Sequence, residues 1–240
     1  MHCQEIMSGP GVVARLVYSD GAHTGRVVFC LPGDGPSNWQ SRTWSAFAER
    51  LAARGMRMLI PEYPAHFIDG ETVFPLSDAV GVCNQALAWL EEHEGCRPAI
   101  VIASSFGGAV VLAEPGILSG VEAMVMKSPA ADLALAYLYE HGEDVLRKWA
   151  AAPPGDTRNR ALNDALACNL YGNARNITIP VLLIHGADDI IVPADQARVL
   201  SAVMPQSRLH IIAACDHYYS DLGHWGKMID GAISFIEEFC

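Results

Sequence analysis

From Ile100 to Val111 the chain reads Ile-Val-Ile-Ala-Ser-Ser-Phe-Gly-Gly-Ala-Val-Val, a β-branched run that stops at serine and resumes as an apolar stretch opened by small residues. This is the pattern of a buried strand, a sharp turn and a helix, with an exposed serine at the turn. Such a turn strains the serine backbone and leaves no room for side chains two positions to either side. Here those positions are Ala103 and Gly107. The same geometry aims the amide of Phe106 and the amino end of the new helix at the space above the serine oxygen, where negative charge develops in acyl transfer. Two serines compete for the turn. Ser104 would have Phe106 at the second position, too bulky for it, so the register favours Ser105 and leaves Ser104 to pack or hydrogen-bond locally. A plain strand-to-helix corner is the alternative, and the rest of the chain must decide.

Two later segments supply what an activated serine needs. Val181 to Pro193 reads as a buried parallel strand, a loop bearing Asp188 and Asp189, and a proline that opens a helix. Arg208 to Tyr219 reads as a last strand running into a loop with His217. Serine, acid, histidine is the chain order of one large hydrolase class and of neither common protease class. On these residues the chain resembles the α/β-hydrolase family over nearly its whole length, in particular small bacterial esterases and dienelactone-hydrolase-like members. Their motifs H-G-x-x-D-x-x-V-P and D-H-(Y/F) stand at His185 to Pro193 and at Asp216 to Tyr218. The resemblance implies Asp189 as the acid and His217 as the base. Asp188 lies one residue early and reads as a loop or capping residue. Asp216 adjoins the histidine, a poor place from which to orient its ring. His185 is expected to anchor its loop through a backbone hydrogen bond, and His224 at the last helix is the second choice of base.

The resemblance also aligns Pro32-Gly33-Asp34, after the strand Arg26 to Leu31, with the family's His-Gly-x. That pairs the backbone amide of Asp34 with that of Phe106 as an oxyanion hole. Proline stands where the family has histidine, and a carboxylate at the donor position would oppose the developing charge. The Asp34 side chain is therefore expected to turn away and bond its own loop. A phosphate cradle is disfavoured, because the loop lacks the lysine and the G-x-x-x-x-G-K spacing.

Sixteen basic against 27 acidic residues give a formal charge of −11, which disfavours nucleic-acid and anionic-membrane partners. No charged-then-apolar leader opens the sequence and no apolar run reaches the roughly 18 residues that cross a bilayer, so a cytoplasmic protein is expected. Seven cysteines without paired spacing suit reduced thiols. Cys30 and Cys215 read as buried fillers. The sequence has neither a metal-ligand cluster nor a dinucleotide fingerprint, so no cofactor or metal is expected.

Strands near Val12 to Tyr18, Arg26 to Leu31, Met56 to Pro61, Ala99 to Ser104, Val121 to Lys127, Val181 to His185 and Arg208 to Ala213 alternate with helices. The expected fold is α/β, a mostly parallel sheet covered by helices on both faces, with ligands beyond the carboxyl ends of its strands. A single domain over 1–240 is expected, with a helical cap inserted at about 130–178, too long for an ordinary connection. Tyr139, Trp149 and Tyr171, with Leu135 and Leu138, are the candidates for its substrate pocket. The function expected from all this is hydrolysis of a carboxylic ester of a small to medium, apolar or aromatic acyl group through an acyl-enzyme. Thioester or small-peptide hydrolysis by the same residues, and a non-catalytic binding protein on the same fold, are the alternatives.

Overall fold

The computed structural model describes every residue except 10, 22–23, 35–37, 69–70 and 240, and the side chain of Glu71. In chain order its elements are β1 (His2–Ser8), β2 (Gly11–Tyr18), β3 (Val27–Leu31), α1 (Arg42–Ala52), β4 (Arg57–Pro61), β5 (His66–Ile68), β6 (Glu71–Val73) and α2 (Leu76–Glu94). They continue with β7 (Ile100–Ser104), α3 (Phe106–Ala113), β8 (Ala123–Lys127), α4 (Leu133–His141), α5 (Glu143–Ala151), α6 (Thr157–Ala167) and α7 (Leu170–Ala174). The chain closes with β9 (Val181–Gly186), α8 (Asp195–Val203), β10 (Ser207–Ile212) and α9 (Leu222–Glu237).

Eight strands form one sheet in the order β1-β2-β4-β3-β7-β8-β9-β10. The pairs β1–β2 and β2–β4 are antiparallel and the rest parallel, as the alternation of elements predicts. The parallel strands β3, β7, β8 and β9 are buried along their length, which is why they read as unbroken apolar runs. Their side chains still alternate between two layers. Phe29, Val101, Met124 and Leu183 face the layer of α2 to α8. Val28, Ile102, Val125 and Ile184 face α1 and α9, where Phe47, Leu51, Ile229 and Phe235 cover them.

Two features differ from the sequence reading. Strand β1 was not expected, because an edge strand whose residues are exposed except Ile6 carries almost no hydrophobic signal. The hairpin β5–β6 is only three residues a side, too short for a period to show. Between β8 and β9 the chain forms α4 to α7, with the break at Pro153-Pro154-Gly155 falling between α5 and α6. Asp132 starts this segment by accepting a hydrogen bond at its side chain from the Leu135 amide, 2.9 Å away.

Candidate active site

Strand β7 ends at Ser104, α3 begins at Phe106, and Ser105 alone makes the turn, with φ 49° and ψ −115°. A left-handed φ is costly for a non-glycine residue and persists only where the surroundings enforce it. Here the Ser105 amide donates to the Lys127 carbonyl at 2.9 Å, and the Ser105 carbonyl accepts from Gly108 at 2.8 Å and Ala130 at 3.0 Å. The small-residue requirement has a physical origin too. A Cβ on Gly107 would lie 2.4 Å from the Leu31 carbonyl oxygen, so only glycine lets α3 start against β3.

The carboxyl ends of three strands converge at this turn. His217, in the loop after β10, places Nε2 3.1 Å from Ser105 Oγ and Nδ1 2.7 Å from Asp189 Oδ2. All three side chains are buried. Asp189, after β9, accepts at Oδ1 from the amides of Ile191 and Val192, at 3.0 and 2.8 Å. Burial alone would raise its carboxyl, but hydrogen bonds from His185, His217 and the Val192 amide overcome that and hold it well below the usual carboxylate range. The fully buried His185 places Nε2 2.8 Å from the Val192 carbonyl and 3.1 Å from Asp189 Oδ2, tying the acid loop back on itself. A Cβ on Gly186 would lie 2.3 Å from the Cys215 carbonyl oxygen, so glycine there lets the acid and histidine loops meet.

The competing residues stand outside the line from Ser105 through His217 to Asp189. Asp188 is exposed. Asp216 accepts from the Ser220 amide at 2.9 Å, inside its own turn. His224 sits in the first turn of α9, where its Nδ1 is 3.9 Å from Asp221. Ser104 meets the Lys127 ammonium at 3.4 Å. Cys30 and Cys215 are buried, and burial pushes their thiols up, that of Cys215 to about 11.

Two cavities touch Ser105. On the α1 side is a cleft of about 350 Å3, lined by Pro32, Gly33, Asp34, Asn38, Ser41, Trp44, Ser104, Lys127, His217 and Tyr218. On the α4 side is a cavity of about 10 Å3, lined by Phe106, Leu133, Ala136, Tyr137, Ile191, Val192 and, at its rim, Asp34 and Glu140. Asp34 borders both, and the Cβ position of Gly33 is 3.4 Å from that of Ser105, so the Asp34 loop runs directly beside the serine. The Asp34 carboxylate was expected to turn away and bond its own loop, of which residues 35–37 lie outside the described residues.

None of the three aromatic residues assigned to a substrate pocket lines either cavity. Tyr139 points out of α4 and is 56% exposed. Trp149 is buried with its ring edge-on to Tyr137, centroids 5.4 Å apart. Tyr171 lines a separate depression with Asp132 and Cys168. The segment reaches the serine instead through Leu133, Ala136 and Tyr137, on the face of α4 opposite Tyr139 and Leu138. Helical phase decides which face points inward, and α4 is apolar nearly all round, so its sequence does not show the phase.

Sequence reasoning also missed Lys127. An ammonium closing the buried strand Ala-Met-Val-Met-Lys, at the strand end where ligands gather in such sheets, was the available signal. Its Nζ meets Ser104 Oγ at 3.4 Å and the His217 carbonyl at 3.3 Å, and lies 4.7 Å from the centre of the Tyr219 ring. Burial pulls its ammonium down to about 8, against the upward pull of Asp189, Cys215 and Asp216. Among the described residues no group of three or more metal-ligating side chains is assembled, and no helix is long and apolar enough to cross a membrane.

Residues 27–226 match the profile of the alpha/beta hydrolase family. Among curated proteins none matches this sequence. Solved structures match over almost the whole chain. Est1E from Butyrivibrio proteoclasticus has a TM-score of 0.79 at 17% identity, covering 99% of this chain and 98% of that one. A monoacylglycerol lipase from Paleococcus ferrophilus has a TM-score of 0.67 at 17% identity with both chains fully covered. A bromoperoxidase from Bacillus anthracis has a TM-score of 0.65 at 15% identity, covering 99% and 100%. Likeness at this identity speaks for the fold and leaves the reaction to the site.

Proposed function

The chain belongs to the α/β-hydrolase family, and from that premise we propose that it is a serine hydrolase that cleaves carboxylic esters through an acyl-enzyme. The observation that carries the reading is the unbroken hydrogen-bonded line from Ser105 Oγ through His217 to Asp189, at 3.1 and 2.7 Å, on a strained turn. Serine is a weak nucleophile until a base takes its proton, and a base works only in the right tautomer and orientation. Asp189, ionised and held by two amides, keeps the proton on Nδ1, leaving Nε2 free to accept from Ser105.

As Oγ attacks the ester carbonyl, Nε2 takes its proton. The tetrahedral oxyanion then accepts hydrogen bonds from the amides of Phe106, at the start of α3, and Asp34, each donor contributing about 3 to 4 kcal/mol. Collapse of that intermediate expels the alcohol, which leaves with the proton from Nε2. Water enters by the same route and releases the acid. The reading needs a small-molecule ester and no cofactor.

Of the acyl sizes expected from sequence, the small end fits. His217 must reach the departing oxygen and lines only the larger cleft, so the alcohol occupies that side. The acyl end is left the narrow cavity, which has room for about one water-sized group. The helical segment between β8 and β9 thus acts as a cap that limits acyl length, through Leu133 and Tyr137.

Turnover of p-nitrophenyl acetate by the Ser105→Ala and Ser104→Ala variants tests the reading. Ser105→Ala is expected to lose at least about 10⁴-fold in kcat while remaining folded, and Ser104→Ala to keep turnover within about tenfold. The reverse result would move the nucleophile to Ser104.

A further inference from the structure

Lys127 is a buried charged side chain at the carboxyl end of a central strand that the hydrolysis scheme leaves without a task. It lies on the same face of the sheet as Ala123 and Val125, and Ser104 is its partner across β7, so both line the cleft on the α1 side. It is only 8% exposed. An ammonium so placed is costly unless a charge or several good hydrogen bonds compensate it. Its polar contacts among the described residues are two long ones to neutral oxygens, at 3.4 and 3.3 Å, with a ring beneath. Among the described residues no carboxylate lies within ion-pairing distance of it. The Asp189 and Asp216 carboxylates act on it only from beyond that distance, which leaves its cleft side open to a closer anionic partner.

Resting on the hydrolase reading, we propose that Lys127 binds a carboxylate on the alcohol part of the substrate, so that the protein selects short-chain acyl esters of acidic alcohols. The location follows from the leaving group. The alcohol departs on the side of His217, and Lys127 stands on that side, donating to the carbonyl of His217 itself. Ser41 and Asn38 of the same cleft add neutral polar groups at the mouth. Asp34 also borders the cleft and opposes an anion there. It borders the α4 cavity as well and is half-exposed, so water screens it more than it screens the buried lysine.

A purely structural lysine, holding the His217 loop through its carbonyl, would serve all esters equally, and this separates the two roles. The acetyl ester of a hydroxynitrobenzoate carries a carboxylate on a chromogenic leaving group. Its methyl ester is nearly the same size without the charge. The wild-type protein is expected to show kcat/KM about 10- to 100-fold higher for the acid than for its methyl ester, the range of a charge-assisted hydrogen bond. Lys127→Met and the more polar Lys127→Gln should each bring that ratio close to one, and Asp34→Asn should raise it. A wild-type preference for the methyl ester, or a ratio that Lys127→Met and Lys127→Gln leave in place, overturns the inference while the hydrolase reading stands. The wild-type ratio alone decides if neither lysine variant folds. Failure of the wild-type protein on both esters, with no reaction of Ser105 with a fluorophosphonate, overturns the hydrolase reading and this inference together.

Discussion

The two sides of Ser105 are built from opposite layers of the same sheet and differ in both room and polarity. On the α1 side, Ser104 and Lys127 end strands whose other residues on that face are apolar, and a cleft of about 350 Å3 opens above them. On the α4 side, Leu133, Ala136 and Tyr137 close down to about 10 Å3. The difference teaches that a parallel sheet can divide the work of one serine between its faces, because side-chain alternation sends adjacent residues of one strand to different chemistries. Ser104 faces the polar cleft, while Ala103 packs into the opposite core.

Removing the line that joins the two sides should have the largest effect. His217→Ala and Asp189→Asn are each expected to lower kcat by about 10⁴-fold, the second because the imidazole is then free to take the wrong tautomer. Steady-state kinetics beside a thermal melt check this. Activity that survives His217→Ala would pass the role of base to His224.

The polar side should reveal itself next, in stability. Burial lowers the Lys127 ammonium from 10.5 to about 8, so the folded protein releases this proton before the unfolded chain does. The cost to stability is therefore fully present below pH 8 and is relieved as pH rises from about 8 toward 10.5. Lys127→Met is expected to stabilise the fold at pH 7 by at most about 3 kcal/mol, with the gain shrinking toward pH 10. Denaturant titrations at several pH values measure it. A destabilised variant at pH 7 would mean that the lysine's contacts with Ser104, His217 and Tyr219 outweigh its burial cost.

A smaller effect sharpens the apolar side. Leu133→Ala should widen the α4 cavity and raise the ratio of butyryl to acetyl ester turnover by about tenfold, at a cost of about 2 to 5 kcal/mol in stability. Tyr139→Ala, on the exposed face of the same helix, should leave that ratio within about twofold. Acyl-chain series on p-nitrophenyl esters read both. Equal responses from the two variants would mean that α4 does not present Leu133 to the acyl group.

How far the sequence reaches follows the same division. Strands β3, β7, β8 and β9 were legible within a residue or two because burial on both faces leaves long apolar runs, and the turn at Ser105 because its strain demands Ala103 and Gly107. Asp189 and His217 were singled out by the resemblance to the α/β-hydrolase family, and they meet Ser105 because each follows a strand end and parallel strands bring their ends together. Edge strand β1 was not, having only Ile6 buried. Nor was the inward face of α4, where Leu, Ala and Tyr occur all round and only tertiary packing chooses Tyr137 over Tyr139. Lys127 stood in plain view at the end of β8, but that none of the described carboxylates comes within ion-pairing distance of it is a property of the folded neighbourhood.

The central claim is that Ser105 forms a covalent bond during turnover, and reaction with an alkyl fluorophosphonate followed by mass spectrometry of the digested protein tests it most directly. The account predicts one adduct per chain, on the peptide containing Ser105, with labelling slowed by about 10³-fold or more in His217→Ala. An unlabelled protein, or an adduct on Ser104 or any other residue, would contradict it.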